Sequence, residues 1–273
     1  MPRLTPALVD RYLRLLGVPR RPPSLLALAE VTTAQLCRVP FENVSKLLRL
    51  RRLGLAALPD LQLHLDGIEQ LHLGGTCYAN NYHLYQLLCA LGYSARLCGA
   101  DMSSPDAHLV VVVSISGRDY LVDGGYAAPF LAPLPLDASA PQEIALGTDR
   151  YVLEPRDAAG CSRMILYRDG VERHGYQVKP APRTIEEFAS VIDNSFRPTS
   201  TFRNAVLLVR FWPGRSLTLH NLERIEVNGR EVRRSALPDR AALAQEVERS
   251  FGIPRQVVTE AVEGIPELMD AFG

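Results

Sequence analysis

The stretch Leu73-Gly74-Gly75-Thr76-Cys77-Tyr78-Ala79-Asn80-Asn81-Tyr82-His83-Leu84-Tyr85-Gln86-Leu87-Leu88-Cys89-Ala90-Leu91 decides how the chain is read. Two glycines permit a tight approach, Thr76 is placed to cap a helix, and Cys77 falls in the first helical turn. The helix is expected to stop at Gly92. Cys77, Asn81, Leu84, Leu88 and Leu91 recur at three- and four-residue intervals, which predicts one stripe facing inward with the thiol at its end. A cysteine at a helix N-terminus meets unpaired backbone N–H groups and the positive end of the helix dipole. Such cysteines become nucleophiles when a basic partner stands near.

The partner is sought in Ala107 to Gly125, AHLVVVVSISGRDYLVDGG. A strand opening at His108, a turn around Gly117 and a strand closing at Asp123 would bring both polar residues to the open end of one hairpin. The residues between them are nearly all apolar, so His108 and Asp123 are the ionisable groups left where this hairpin meets the helix. Thiol catalysis needs a base to take the proton and a third group to hold that base in one tautomer. Cys77 as nucleophile, His108 as base and Asp123 as orienter meet that need. Taken singly, each has a bland reading as core thiol, strand-end histidine or turn former; only their conjunction points to catalysis.

The remaining chain is consistent with this centre. Its 273 residues suffice for two or three lobes, and 30 basic residues balance 30 acidic ones, unlike the footprint of a nucleic-acid binder. Only Lys46 and Lys179 are lysines, a bias read as compositional. Lys46, Arg49, Arg51 and Arg52 are expected to form a solvated basic face rather than a phosphate site. Five cysteines, with no signal peptide and no apolar run long enough to span a bilayer, predict a reduced, cytoplasmic protein. No CxxC or HxxxH spacing occurs, so no metal is expected. His64, His72, His83, His174 and His220 are read as surface or structural residues.

Residues 1 to about 72 read as helices, Leu4–Leu16 and Leu25–Arg38 among them, interrupted at Val39–Val44 by Pro40. From Tyr93 short β-type runs follow at 94–98, 108–115, 120–122, 151–154, 164–168 and 175–179, which predicts an antiparallel sheet or small barrel. Thr184 is expected to cap a short helix. Strands then return at 205–211, 216–220, 222–227 and 231–233, with Asn228-Gly229 as a hairpin turn, before a helix over Arg240–Phe251.

With these pieces in place the chain resembles an arylamine N-acetyltransferase. Pro40-Phe41-Glu42-Asn43 is similar to the family's PFEN, Gly74-Gly75-Thr76-Cys77 to its GGxC, and Ala90-Leu91-Gly92-Tyr93 to the end of its nucleophile helix. His108-Leu109-Val110 resembles the strand carrying its catalytic histidine, and Tyr120-Leu121-Val122-Asp123 its YLVD. Asn194-Ser195-Phe196 to Ser200-Thr201-Phe202 resembles the stretch leading into the third lobe.

The resemblance implies an α+β, papain-like architecture: a helical bundle (1–92), an antiparallel β-barrel (93–193) and an α/β lid (194–273), with Cys77, His108 and Asp123 as triad. It implies ping-pong transfer of an acyl group to an amine, hydrazine or hydroxylamine, with acetyl-coenzyme A as default co-substrate and no bound cofactor. Phe41, Gly124, Gly125 and Tyr126 are the positions expected near the donor. Leu73 and Ala79 replace an arginine and a glutamate of the family's R-G-G-x-C-x-E, and Gly124-Gly125-Tyr126-Ala127 replaces its V-G-F-G. Such departures around an intact triad also suit an amide synthase taking a longer acyl chain from a carrier protein. Thiol hydrolysis, transglutaminase-like chemistry and a non-catalytic binding descendant are the other readings.

Overall fold

The computed structural model describes residues 4–269; the outermost residues of the first and third expected lobes lie outside them. Five helices come first: α1 (Pro6–Leu16), α2 (Leu25–Arg38), α3 (Val44–Leu53), α4 (Leu61–Leu71) and α5 (Cys77–Ala90). Their starts follow capping chemistry. The side chains of Thr5, Ser24 and Asp60 accept the amides of Leu8, Ala27 and Leu63 at the heads of α1, α2 and α4. Gly17 and Gly54 end α1 and α3 in the left-handed conformation.

Between α2 and α3 the Pro40 interruption is a two-residue strand, β1 (Phe41–Glu42). Eight strands follow: β2 (Ser94–Asp101), β3 (His108–Ile115), β4 (Arg118–Val122), β5 (Leu134–Pro135), β6 (Gln142–Leu146), β7 (Asp149–Leu153), β8 (Ser162–Arg168) and β9 (Val171–Arg183). They pair antiparallel in the order β5-β4-β3-β2-β9-β8-β7-β6 and curl into a nearly closed barrel. A 3-10 turn (Ile185–Phe188), α6 (Ala189–Asn194) and α7 (Thr201–Asn204) lead to the last lobe. There β10 (Leu207–Trp212), β11 (Arg215–His220), β12 (Glu223–Asn228) and β13 (Glu231–Ala236) form a sheet with β1 on the far side of β10. Helices α8 (Arg240–Phe251) and α9 (Arg255–Val262) complete it.

The continuous apolar run of β3 is explained by burial on both faces. Leu109, Val111 and Val113 pack against α1, α2, α4 and α5. Val110 and Val112 point into the barrel with Tyr151, Met164 and Tyr176. A third core joins α3, α8 and α9 to β10 and β11.

Several expectations shift. Thr76 holds the N-cap position of α5, but its side chain makes no capping hydrogen bond. The α5 stripe is wider than its spacing implied: Tyr78, Asn80, His83 and Leu87 are buried along with Asn81, Leu84 and Leu88, because helices, barrel and lid enclose this helix. The β12–β13 loop is Gly229-Arg230 rather than Asn228-Gly229, since Asn228 pairs with Glu231 and Gly229 takes the positive φ of the first loop position. Strands β1, β5 and β6 and helix α9 are absent from the sequence reading; β1 and β5 have two residues, β6 is half-exposed, and α9 has eight residues with no side-chain cap at its start.

Candidate active site

The approach that delivers Cys77 depends on glycine. A Cβ on Gly74 would sit 2.0 Å from the Pro40 carbonyl oxygen, so only glycine lets residues 73–76 run beside β1, where Phe41 and Gly75 form a parallel bridge. The buried Glu42 carboxylate secures this crossing by accepting the Gly74 amide at 3.0 Å and the Ser45 amide at 2.8 Å. Burial raises its pKa against the pull of those bonds and of Arg49. Half-buried Cys77 then emerges at the junction of the lobes, against the cluster of Leu36, Phe41, Leu207, Val209 and Phe211.

The hairpin places the other two residues as its sequence suggested. Ile115 pairs with Arg118 across a Ser116-Gly117 loop in which both residues have positive φ, the twist a two-residue hairpin prefers. His108, at the open end of β3, lies on the same face as Val110 and Val112. Its Nε2 is 2.8 Å from Oδ2 of Asp123, which follows β4. Both side chains are almost fully buried.

Asp123 is saturated with donors. Its Oδ1 accepts from Asn81 Nδ2 at 2.8 Å and from the amides of Gly125 and Tyr126 at 3.0 Å each; Oδ2 also accepts the Tyr176 hydroxyl at 2.8 Å. Asn81 extends the lattice, donating to the Leu109 carbonyl at 2.7 Å and accepting the Gly124 amide at 2.8 Å. One side chain of α5 therefore ties the helix that begins at Cys77 to both strands of the hairpin.

Electrostatics follow from this packing. Burial alone would lower the His108 pKa, but Asp123, with a further contribution from the Cys77 sulfur, raises it to about 10. Burial opposes ionisation of Asp123, yet His108, Asn81 and Tyr176 together hold it below the ordinary carboxylate value. Tyr176 is pushed well above 10 by burial and by the Asp123 charge, so it stays a donor.

Of the residues expected near the donor, Phe41 lies in the apolar cluster that includes Cys77 and meets Phe202 edge-on, ring centres 5.7 Å apart. A Cβ on Gly125 would fall 2.6 Å from the Cys77 carbonyl oxygen, so this glycine lies directly against the Cys77 backbone. A Cβ on Gly124 would meet Gln35 and Leu84 at 3.2 Å. Tyr126 is turned into the barrel, its ring edge-on to His108 and its hydroxyl hydrogen-bonded to His174.

The departures from the family pattern have separate physical outcomes. Leu73 joins the apolar core of the lid, while Ala79 lines a small cleft with Lys46 and Arg49. The basic cluster on α3 is accordingly not one solvated face. Arg51 and Arg52 pair with Glu263 and Glu260 at the surface, whereas Lys46 and Arg49 turn inward and are buried. His64 and His83 are also buried, with ring centres 4.5 Å apart, so their role is structural rather than superficial.

In sequence Asn81 stands on the helix stripe, at a position where the family also has asparagine, and Tyr176 stands only within a strand; neither pattern points to Asp123. The signal for Tyr176 was its parity with Val178 on the inward face of β9, which put a hydroxyl in an apolar layer.

Comparison with known proteins agrees with the geometry. The N-acetyltransferase family model matches residues 24–259. Arylamine N-acetyltransferase 1 of Oryctolagus cuniculus is 30% identical over 208 residues, covering 67% of this chain and 70% of that protein. The arylamine N-acetyltransferase / N-hydroxyarylamine O-acetyltransferase of Salmonella typhimurium is 26% identical over 260 residues, 89% of this chain and 87% of its own. Among solved structures, the Salmonella typhimurium arylamine N-acetyltransferase superposes with a TM-score of 0.80 at 19% identity, covering 96% of this chain and 100% of that one. The Mycobacterium marinum arylamine N-acetyltransferase in complex with CoA gives 0.78 at 21%, covering 94% and 99%. On the family match and the curated relatives, with a fold that agrees, the chain belongs to the arylamine N-acetyltransferase family.

Proposed function

We propose that the protein transfers an acyl group through a thioester on Cys77 to an amine, hydrazine or hydroxylamine nitrogen, with acetyl-coenzyme A as its default donor. The observation that carries this reading is the buried 2.8 Å contact between His108 Nε2 and Asp123 Oδ2, set beside a cysteine in the first turn of a 14-residue helix. With Nε2 held by Asp123, Nδ1 is the ring nitrogen left to serve the thiol. His108 takes the thiol proton, the sulfur attacks the donor's thioester carbonyl, and the departing coenzyme thiolate collects that proton. In the second half the acceptor nitrogen attacks the Cys77 thioester and gives its proton back through His108. Asp123 fixes the tautomer and stabilises the imidazolium throughout.

The three lobes 1–92, 93–193 and 194–273 divide this work: the first presents the nucleophile, the second the base and its orienter, the third covers them. Of Phe41, Gly124, Gly125 and Tyr126, the donor side is carried by Phe41, through apolar contact, and by Gly125, which lets the chain pass close to Cys77.

The test is the intact mass of the protein after brief exposure to acetyl-coenzyme A, with Cys77→Ala as control. Gain of one acetyl group by the wild type alone, and its discharge on adding an arylamine, is the expected result. Turnover by Cys77→Ala near the wild-type rate would end the covalent reading.

A further inference from the structure

One side chain beside the nucleophile is assigned no part in that chemistry. Lys46, on α3, is more than nine-tenths buried, with 8% of its surface exposed. Its Nζ donates to the Ser195 carbonyl at 2.6 Å and to Ser195 Oγ at 2.7 Å, and lies 4.1 Å from the centre of the Phe196 ring. A lysine ammonium has three protons to donate. Among the described residues the third meets no protein acceptor, and no carboxylate pairs with this cation.

The surroundings tell the same story. Lys46 and Arg49 line a cleft together with Gly75, Thr76 and Tyr78, the chain neighbours of Cys77, which does not itself line it. No acidic side chain lines it, and its cavity volume of about 30 Å³ suits a single polar group such as one end of a carboxylate. The wall on the α5 side is a helix start with no side-chain cap and no acidic residue in its first turn. Burial pushes the Lys46 ammonium down to about 8, with the Cys77 sulfur acting against that fall and Arg203 adding to it. The cation thus stands within electrostatic reach of the thiol, in a place where burial is not offset by a counter-charge from the protein.

We propose that Lys46 is a specificity-determining residue: its buried ammonium, held by Ser195 and Phe196 at the cleft beside Cys77, makes the thiol prefer reaction partners that bring a carboxylate over neutral ones of the same shape. The inference rests on Cys77 being the nucleophile, and the probe separates the two ideas. Iodoacetate and iodoacetamide alkylate the same sulfur and differ chiefly in one negative charge, so their rate ratio cancels the thiol's own reactivity.

In the wild type at pH 7 and low salt, the iodoacetate-to-iodoacetamide ratio at Cys77, read by peptide mass, is expected to exceed that of a free thiol such as glutathione. Lys46→Met should lower the ratio by about three- to tenfold with the iodoacetamide rate little changed, Lys46→Arg should restore it, and added salt should flatten the difference. Should Lys46→Met fold poorly, the wild type carries the test alone. Its ratio should fall as pH rises through about 8, where Lys46 gives up its charge while His108, at about 10, stays largely protonated. A ratio unmoved by Lys46→Met, or flat across pH 8 in the wild type, overturns the assignment of Lys46. Slow reaction with both reagents overturns the nucleophile reading as well.

Discussion

Replacing Asp123 by asparagine keeps the size of the side chain and removes its charge, which makes it the sharpest probe of the site. The asparagine oxygen can continue to accept from Asn81 and from the amides of Gly125 and Tyr126. Its NH2 group then faces His108 Nε2 and the Tyr176 hydroxyl, which are both donors in the native arrangement. Tyr176 can turn its hydroxyl to accept. His108 can only change tautomer, which moves its proton to Nδ1, the nitrogen on the thiol side, where it no longer serves as a base.

The size of the effect follows from the electrostatics. The net lift of His108 from 6.5 to about 10, achieved against burial, corresponds to about 5 kcal/mol in favour of the imidazolium, with Asp123 the largest of the partners that supply it. Loss of most of that stabilisation corresponds to roughly a thousandfold in rate. Iodoacetamide alkylation of Cys77 at pH 7 and single-turnover acetylation should both slow by about this factor in Asp123→Asn. Near-ultraviolet circular dichroism and the denaturation midpoint would report whether the fold survives. If it does not, Tyr176→Phe keeps the carboxylate and removes one donor, with an expected cost of about 1–2 kcal/mol in stability and a smaller fall in rate. A folded Asp123→Asn protein within tenfold of wild type in both assays would refute the reasoning.

Gly125→Ala should lower both stability and Cys77 reactivity, because the new methyl would meet the backbone of Cys77 at 2.6–2.8 Å; a urea midpoint within error of wild type would contradict this. Stability measured by urea denaturation should decline from about pH 6.5 toward 10, since a histidine raised on folding contributes fully below its unfolded pKa and loses that contribution through its folded one; His108→Gln should flatten this slope. On the acid side, His83 is lowered to about 4 by burial, so stability should fall as pH drops from 6.5 toward 4, and His83→Asn should reduce that loss.

The triad candidates were legible because each sat at an element boundary marked by strong local signals: Gly74-Gly75 before the helix, the Ser116-Gly117 turn, and the polar ends of an apolar hairpin. The helices with side-chain caps at Ser24 and Asp239 matched their sequence spans residue for residue. What sequence could not convey was contact between distant elements. Tyr176 reaches Asp123 only because β9 pairs with β2 on the side opposite β3, a sheet order no local pattern encodes. The inward turn of Lys46 and Arg49 was similarly hidden: their i, i+3 spacing permits a shared face, but whether that face is wet depends on the 192–196 segment folding back over it.

The pairing of β1 with β10 has a consequence for how the chain is made. Phe41 lies opposite Val209, and Asn43 binds the Phe202 and Ala205 carbonyls and the Leu207 amide, all about 160 residues further on. During synthesis the first helices and Cys77 leave the ribosome long before the strand that closes against β1 exists. Until that late segment arrives, Cys77 and the apolar cluster around Phe41 lack the face of their packing that Leu207, Val209 and Phe211 provide. The nascent chain is therefore expected to pass through a stage in which the Cys77 thiol and this apolar cluster are open to oxidation or capture by chaperones. Closing so long a loop is also slow for entropic reasons, so a fragment that stops before Leu207 should be isolated, if at all, as a sticky and unsealed intermediate rather than as a smaller enzyme.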